Sequence, residues 1–181
     1  ARRVDDNVNG FQVHQVLAFP ATGYHDKDIY AAYLTASILG GGMSSRLFQE
    51  ARERRGLCYS TFAYVSAYAD TGLMQIYAAT APDKAAEFAA VAADIAHSLE
   101  RSVTDEELER ARAQVKASLV MSLESPASRA DQIARQYLSY GKVPEVSDIV
   151  GRIDAVERND ISRMARSIFH GNGTSHAAVG A

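Results

Sequence analysis

Between Leu39 and Tyr59 the chain reads LGGGMSSRLFQEARERRGLCY. Three consecutive glycines give up too much backbone entropy to continue a helix, so the element before them stops there. The next segment carries four arginines and two glutamates before Gly56 interrupts it. Such a run is too polar to be a strand of the core and short enough to be one surface helix. The chain is therefore divided into a strand and helix before the glycines, and a second apolar block after Gly56.

Both blocks have readable periodicity. Val13 to Phe19 is apolar and bounded by Pro20, which predicts a strand ending in a turn. Asp26 or Asp28 caps a helix to about Leu39, with Ala32, Ala36 and Leu39 on one face. Ser44 or Ser45 caps the short charged helix, which Gly56 ends. Tyr59 to Tyr68 and Leu73 to Thr80 predict an antiparallel hairpin turning through Asp70, Thr71 and Gly72. From Pro82 on the pattern is helical: Phe88, Val91, Ile95 and Leu99 form one stripe. Thr104 with Glu107 forms a capping box ahead of Leu108, Ala111, Val115 and Leu119. Pro126 ends or kinks that helix, and Ile133 and Tyr137 mark its successor. Asn159 caps a last helix through Ile161, Ala165 and Ile168. Gly171 and Gly173 close it before a short strand, Ala177 to Val179. This order predicts an α+β fold, a two-layer sandwich with a mostly antiparallel sheet and helices packed on one face. No internal repeat is visible.

At 181 residues the chain fits one domain, and its 47% apolar and 23% charged content are ordinary for a globular protein. A net charge of -3 provides no basic field for nucleic acid or an anionic membrane. No apolar run approaches the roughly 20 residues of a membrane span. The single Cys58 cannot form an internal disulfide. A start at Ala1, with no apolar stretch after Arg2 and Arg3, leads us to expect a piece of a longer chain.

Candidate chemistry is sparse. The five histidines are His14, His25, His97, His170 and His176. The nearest approach to a zinc-protease HxxEH helix is His97-Ser98-Leu99-Glu100-Arg101, where Arg101 replaces the second histidine. An arginine cannot ligate zinc, so one of three ligands is missing and no metal site is expected. Gly40-Gly41-Gly42 lacks the lysine of a phosphate loop and the third glycine of a dinucleotide fingerprint. The triplet reads either as a helix stop or as a loop that lets another chain come close. The charged helix reads as a solvated face, with Arg46/Glu50 and Glu50/Arg54 at i,i+4 spacing. Arg52 and Tyr59 flank Gly56-Leu57. An arginine and a phenol brought together donate hydrogen bonds to a carbonyl or oxyanion; apart, they have independent surface roles. Cys58 reads as a small buried apolar residue, with no histidine close in sequence.

Taken together, GGGMSSRLFQEARERRGLCYS resembles the equivalent segment of the pitrilysin/insulinase superfamily of zinc peptidases, nearest to bacterial proteins related to mitochondrial processing peptidase. The flanks QVHQVLAFPATGYHDKDIYAAYLTASILGGG, TGLMQIYAATAPDKAAE and VTDEELERARAQVKASLVMSLESPASRADQIARQYLSYGK extend the likeness over most of the chain. The resemblance implies a single C-terminal-type domain over 1–181, without the HxxEH motif. Zinc and the general base would belong to an N-terminal-type HxxEH domain, in cis or in trans, of a dimeric full-length metalloendopeptidase. Arg52 and Tyr59 match the arginine and tyrosine that such a domain contributes across the chamber. Gly40, Gly41, Gly42, Met43 and Ser44 fall where related subunits contact peptide substrate. The chain alone is then inactive, soluble and, as the favoured compartment, cytoplasmic. The alternative within the same fold is a non-catalytic peptide-binding or scaffold subunit, like the core subunits of the respiratory bc complex.

Overall fold

The structure, a computed structural model, describes residues 2–6, 11–171 and 173–180. Five strands form one sheet in the order β1-β5-β2-β4-β3. These are β1 (Arg2–Asp6), β2 (Val13–Ala21), β3 (Ser60–Ala67), β4 (Gly72–Thr80) and β5 (Ser175–Val179). Neighbours β5/β2, β2/β4 and β4/β3 are antiparallel, and β1 joins the edge parallel to β5. The helices are α1 (Ile29–Gly40), α2 (Ala85–Ser102), α3 (Asp105–Glu124), α4 (Pro126–Tyr140), α5 (Val146–Asp154) and α6 (Arg158–Phe169). A π-helix spans Phe48–Arg54. The α+β sandwich read from the sequence is the one observed.

Alternation decides which face is covered. Successive side chains of a strand point to opposite faces, and Val13, Gln15, Leu17 and Phe19 of β2 are all buried. Across the ladder Phe19 pairs with Met74 and Leu17 with Ile76, which are also buried, so one sheet face is apolar. Helices α1, α2 and α6 lie on that face. Phe88 of α2 is fully buried, and Phe169 meets Phe19 edge-on at 5.1 Å. The single buried polar side chain of β2, Gln15, donates to the Ala85 carbonyl at 3.0 Å and sits 3.0 Å from His176 Nε2. The other face is left open and carries Phe62 stacked on Tyr77 at 4.6 Å.

Several elements differ from the sequence reading, strand β1 among them, since no strand was expected before Val13. Pro20 lies inside β2 rather than ending it, because the ladder to β5 stops at Ala18 and leaves that side open. The last helix begins at Arg158 and not at an Asn159 cap; Asp160 Oδ2 instead accepts the Glu157 N–H at 2.9 Å. Helix α5, which buries Ile149 and Ile153, has no counterpart in the sequence reading. Asp28 stands at the N-cap of α1 without a side-chain cap bond and the Ser45 hydroxyl turns back to Gly42 C=O, whereas Thr104 and Glu107 form the expected capping box of α3 and Pro126 stands in the first turn of α4. Among the described residues no helix is long and apolar enough to cross a membrane.

Candidate functional site

Helix α1 is buried almost all round, with Ile29, Leu34, Ile38 and Leu39 enclosed between the sheet and the outer helices. It runs into the glycine triplet, and each glycine there meets a different neighbour. A Cβ on Gly40 would stand 2.4 Å from the Ala63 backbone nitrogen, so Gly40 lets α1 press directly onto β3. Gly41 N–H bonds back to Ser37 C=O at 2.9 Å, and its own carbonyl accepts from the Gln114 side chain of α3. Gly42 C=O accepts from both the N–H and the hydroxyl of Ser45, at 3.0 and 2.6 Å. The Gln49 side chain holds the Met43 carbonyl at 2.7 Å. Met43 and Ser44 themselves are exposed. The loop is thus fixed by its own side chains, with its tip in solvent.

The anchor of this loop is Arg46. Its guanidinium meets both oxygens of Glu107 at 2.7 Å and also reaches the hydroxyl and carbonyl of Ser102. The sequence pairing of Arg46 with Glu50 is not formed; Glu50 binds Arg54 and Arg55 instead. Burial alone would push the Glu107 carboxyl up, but Arg46 and the Thr104 N–H hold it below its ordinary value. A carboxyl lowered by folding contributes stability above its unfolded pKa and loses that contribution as pH falls through the folded one. The clamp therefore weakens below about pH 4.3. Both side chains are only 17% exposed, so Arg46→Gln is expected to cost about 2 kcal/mol near neutrality. It should also flatten the acid limb of stability against pH, read as urea midpoints across that range.

Beyond Arg46 the chain winds into the π-helix and is reversed by Gly56, whose φ of +59° is left-handed. That reversal lets Leu57 N–H bond to Ala51 C=O at 2.8 Å and Gly56 N–H to Arg52 C=O at 3.1 Å. A Cβ there would touch nothing, so Gly56→Ala carries backbone strain alone. The expected cost is about 1 kcal/mol, a fall of roughly 2–4 °C in Tm.

Arg52 and Tyr59 stand at the two ends of this reversal. The Arg52 guanidinium lies 4.6 Å over the Phe48 ring, is 42% exposed, and has its nearest carboxylate, Glu53, at 3.9 Å. Tyr59 is fixed through its backbone, whose N–H donates to Ala79 C=O at 2.8 Å, while the residue is 60% exposed. Among the described residues no hydrogen bond joins the two side chains, and neither donates to another protein group. Between them Cys58 is buried; burial pushes its thiol up to about 11, with the Arg52 charge opposing. It is protonated at neutral pH and is no nucleophile.

The HxxER stretch serves a different purpose from metal binding. Glu100 is paired with Arg166 at 2.6 Å and lies 3.1 Å from His170, which ties α2 to the end of α6. His97 Nε2 is 2.8 Å from the Phe169 carbonyl oxygen. The Arg166 guanidinium is foremost in holding the Glu100 carboxyl below its usual range. Among the described residues no group of three His, Cys, Asp or Glu side chains is placed to hold a metal ion. These residues do not fit a catalytic zinc.

Comparison with known proteins places these features in a lineage. The family described as the peptidase M16 inactive domain matches residues 2–115. An uncharacterized zinc protease of Streptomyces coelicolor is 36% identical over 159 residues, 87% of this chain and 35% of that protein. One from Rickettsia bellii is 38% identical over 170 residues, 93% of this chain and 41% of that protein. The chain thus spans about two fifths of the length of these relatives. Among solved structures, a protease from Helicobacter pylori superposes with a TM-score of 0.87 at 20% identity, over 99% of this chain and 44% of that one. A chain of complex III2 from Candida albicans does so at 0.90 and 21% identity, over 98% of this chain and 45% of that one. These two likenesses concern the fold alone.

Proposed function

From a chain that belongs to the peptidase M16 inactive-domain family, we infer the substrate-binding and transition-state-stabilising half of a zinc-dependent endopeptidase. Zinc and the general base come from an N-terminal-type HxxEH domain, on the same polypeptide or another, and the complete protein works as a dimer. When bound there, the metal polarises the scissile carbonyl and activates water. The contribution of this chain is made by its own donors. The carrying observation is that Arg52 and Tyr59, at the two ends of the Gly56 reversal, both expose side-chain donors at the surface, Arg52 with only a loose ion pair to Glu53 at 3.9 Å. A guanidinium and a phenol held there donate to the substrate carbonyl as it becomes an oxyanion.

The peptide-binding surface continues on either side. Met43 and Ser44 sit exposed at the tip of the loop fixed by Gly40, Gly41 and Gly42, in reach of a passing peptide. Strand β3, which starts one residue after Tyr59, pairs among the described residues with β4 alone and there offers a free edge. A substrate pairing along that edge must be extended, which favours unfolded peptides and segments. A scaffold subunit has no use for two exposed donors in this position.

The test is cleavage of a quenched fluorescent peptide by the assembly of this chain with its HxxEH partner. Cleavage lost on chelation and restored by zinc supports the peptidase reading. An assembly that never cleaves leaves the scaffold alternative in its place.

A further inference from the structure

Helix α4 stands off from the body of the molecule, and none of its residues is buried. Between it, α1 and α5 lies a cleft of about 830 Å³, within the size range of ordinary ligand sites. Its floor is aromatic. Tyr30 and Tyr33 of α1 meet edge-on at 6.1 Å, and the Arg152 guanidinium covers Tyr30 at 4.6 Å. Tyr140 closes one end, its hydroxyl donating to Tyr24 C=O at 3.2 Å.

The polar groups around this floor are unspent. Among the described residues Arg152 and Lys142 have no carboxylate partner, whereas Arg135 is held by Asp131. Asp148 is the one carboxylate in the lining, so the cleft is net cationic. The hydroxyls of Tyr30 and Tyr33 have no acceptor among the described residues, and burial pushes the Tyr33 phenol up to about 12, which keeps it a neutral donor. Gln136, also in the lining, has a buried side-chain carbonyl oxygen with no donor. An orphaned buried acceptor costs free energy that a ligand N–H relieves. In the middle of α5, Gly151 faces open space, since an added Cβ meets nothing within 4 Å. A mid-helix glycine costs about 1 kcal/mol against alanine, and no packing explains it here.

We propose that this cleft binds a peptide segment carrying an aromatic side chain beside a carboxylate. The ring packs against Tyr33 beside the Arg152-covered Tyr30, the carboxylate meets Arg152 and Lys142, and a peptide N–H reaches the Gln136 carbonyl. The cleft opens on the first half of α1, Tyr30 and Tyr33, about 10–15 Å along the helix from the glycine loop at 1.5 Å per residue. It is thus a second holding point, separate from Arg52 and Tyr59. A peptide rather than a free arylcarboxylate as occupant rests on the peptidase reading; the cationic, aromatic chemistry does not.

The chain contains no tryptophan, so a tryptophan-bearing probe reports binding without background and without any cleavage step. The probe is the acetylated, amidated hexapeptide Ala-Trp-Glu-Leu-Glu-Ala, titrated with the 181-residue chain. Binding is expected below about 1 mM and about tenfold weaker for the analogue with lysine in place of glutamate. Arg152→Gln should weaken it by a similar factor. Gly151→Leu should abolish it by filling the cleft, and Gly151→Ala should weaken it to a smaller extent. The proposal is overturned by equal binding of the lysine peptide, by undiminished binding to Gly151→Leu or Arg152→Gln, or by no binding at about 1 mM. Indole-3-propionate binding as tightly as the peptide would overturn the peptide as occupant. Failure of the assembly to cleave, with the titration as expected, would remove the peptidase reading and leave the cleft standing.

Discussion

Tyr59→Phe in the assembled peptidase is expected to lower kcat about a hundredfold and leave KM nearly unchanged. The substitution removes one hydroxyl and keeps the ring, so the ground-state fit of the substrate is preserved. On the proposed reading, what is lost is one donor to the charge that develops in the transition state, a loss worth about 2.7–4 kcal/mol in comparable sites. An interaction made only in the transition state appears in kcat and in kcat/KM equally. Tyr59 is held by its backbone bond to Ala79 and is largely in solvent. Its hydroxyl should therefore contribute less than about 0.5 kcal/mol to stability. Equal melting temperatures with unequal kcat would assign Tyr59 to catalysis; equal kcat would confine it to the surface.

Gly40→Ala is expected to destabilise the fold by about 2–3 kcal/mol and to lower Tm by some 5–10 °C. The added methyl would lie 2.4 Å from the Ala63 nitrogen and 2.9 Å from both Ala63 Cβ and the Phe62 carbonyl carbon. Two of those are backbone atoms of β3, which cannot turn aside as a side chain can. Helix α1 must then lift from the sheet, and the loop that follows it shifts as well. Gly42→Ala provides the contrast, because its new methyl meets only the flexible end of Gln114 at 3.1 Å. It should change Tm by no more than a degree or two. Were the two variants equally stable, close packing would not be the reason for glycine at position 40.

What could be read before the structure was whatever is encoded locally. The β3–β4 hairpin announces itself in two apolar runs with Asp70, Thr71 and Gly72 between them. The capping box at Thr104 and the break at Pro126 are likewise properties of three or four neighbouring residues. The parallel pairing of β1 with β5 depends on strands some 170 residues apart and has no local code. Helix α5 did carry a local signal, Val146, Ile149, Val150 and Ile153 at i, i+3, i+4 and i+7, but it is only nine residues long and interrupted by Gly151. Arg46 is instructive: Glu50, four residues on, is the local choice, and Glu107, 61 residues away, is the partner taken. The π-helix has no sequence signature, since one wide turn differs from a normal one by a single hydrogen-bond step. Around the candidate site, the spacing of Arg52 and Tyr59 about Gly56 left independent surface roles open, and the family resemblance is what assigns them a shared one. The tyrosine cleft could not be read, because its walls come from four helices.

The central claim is that this chain supplies half of an active site and none of its metal. It is tested most directly by incubating the isolated 181 residues with zinc and the quenched fluorescent peptide, beside the assembly with its HxxEH partner. The expected result is no zinc-dependent cleavage by the chain alone and chelator-sensitive cleavage by the assembly. Zinc-dependent cleavage by the isolated chain would contradict the account.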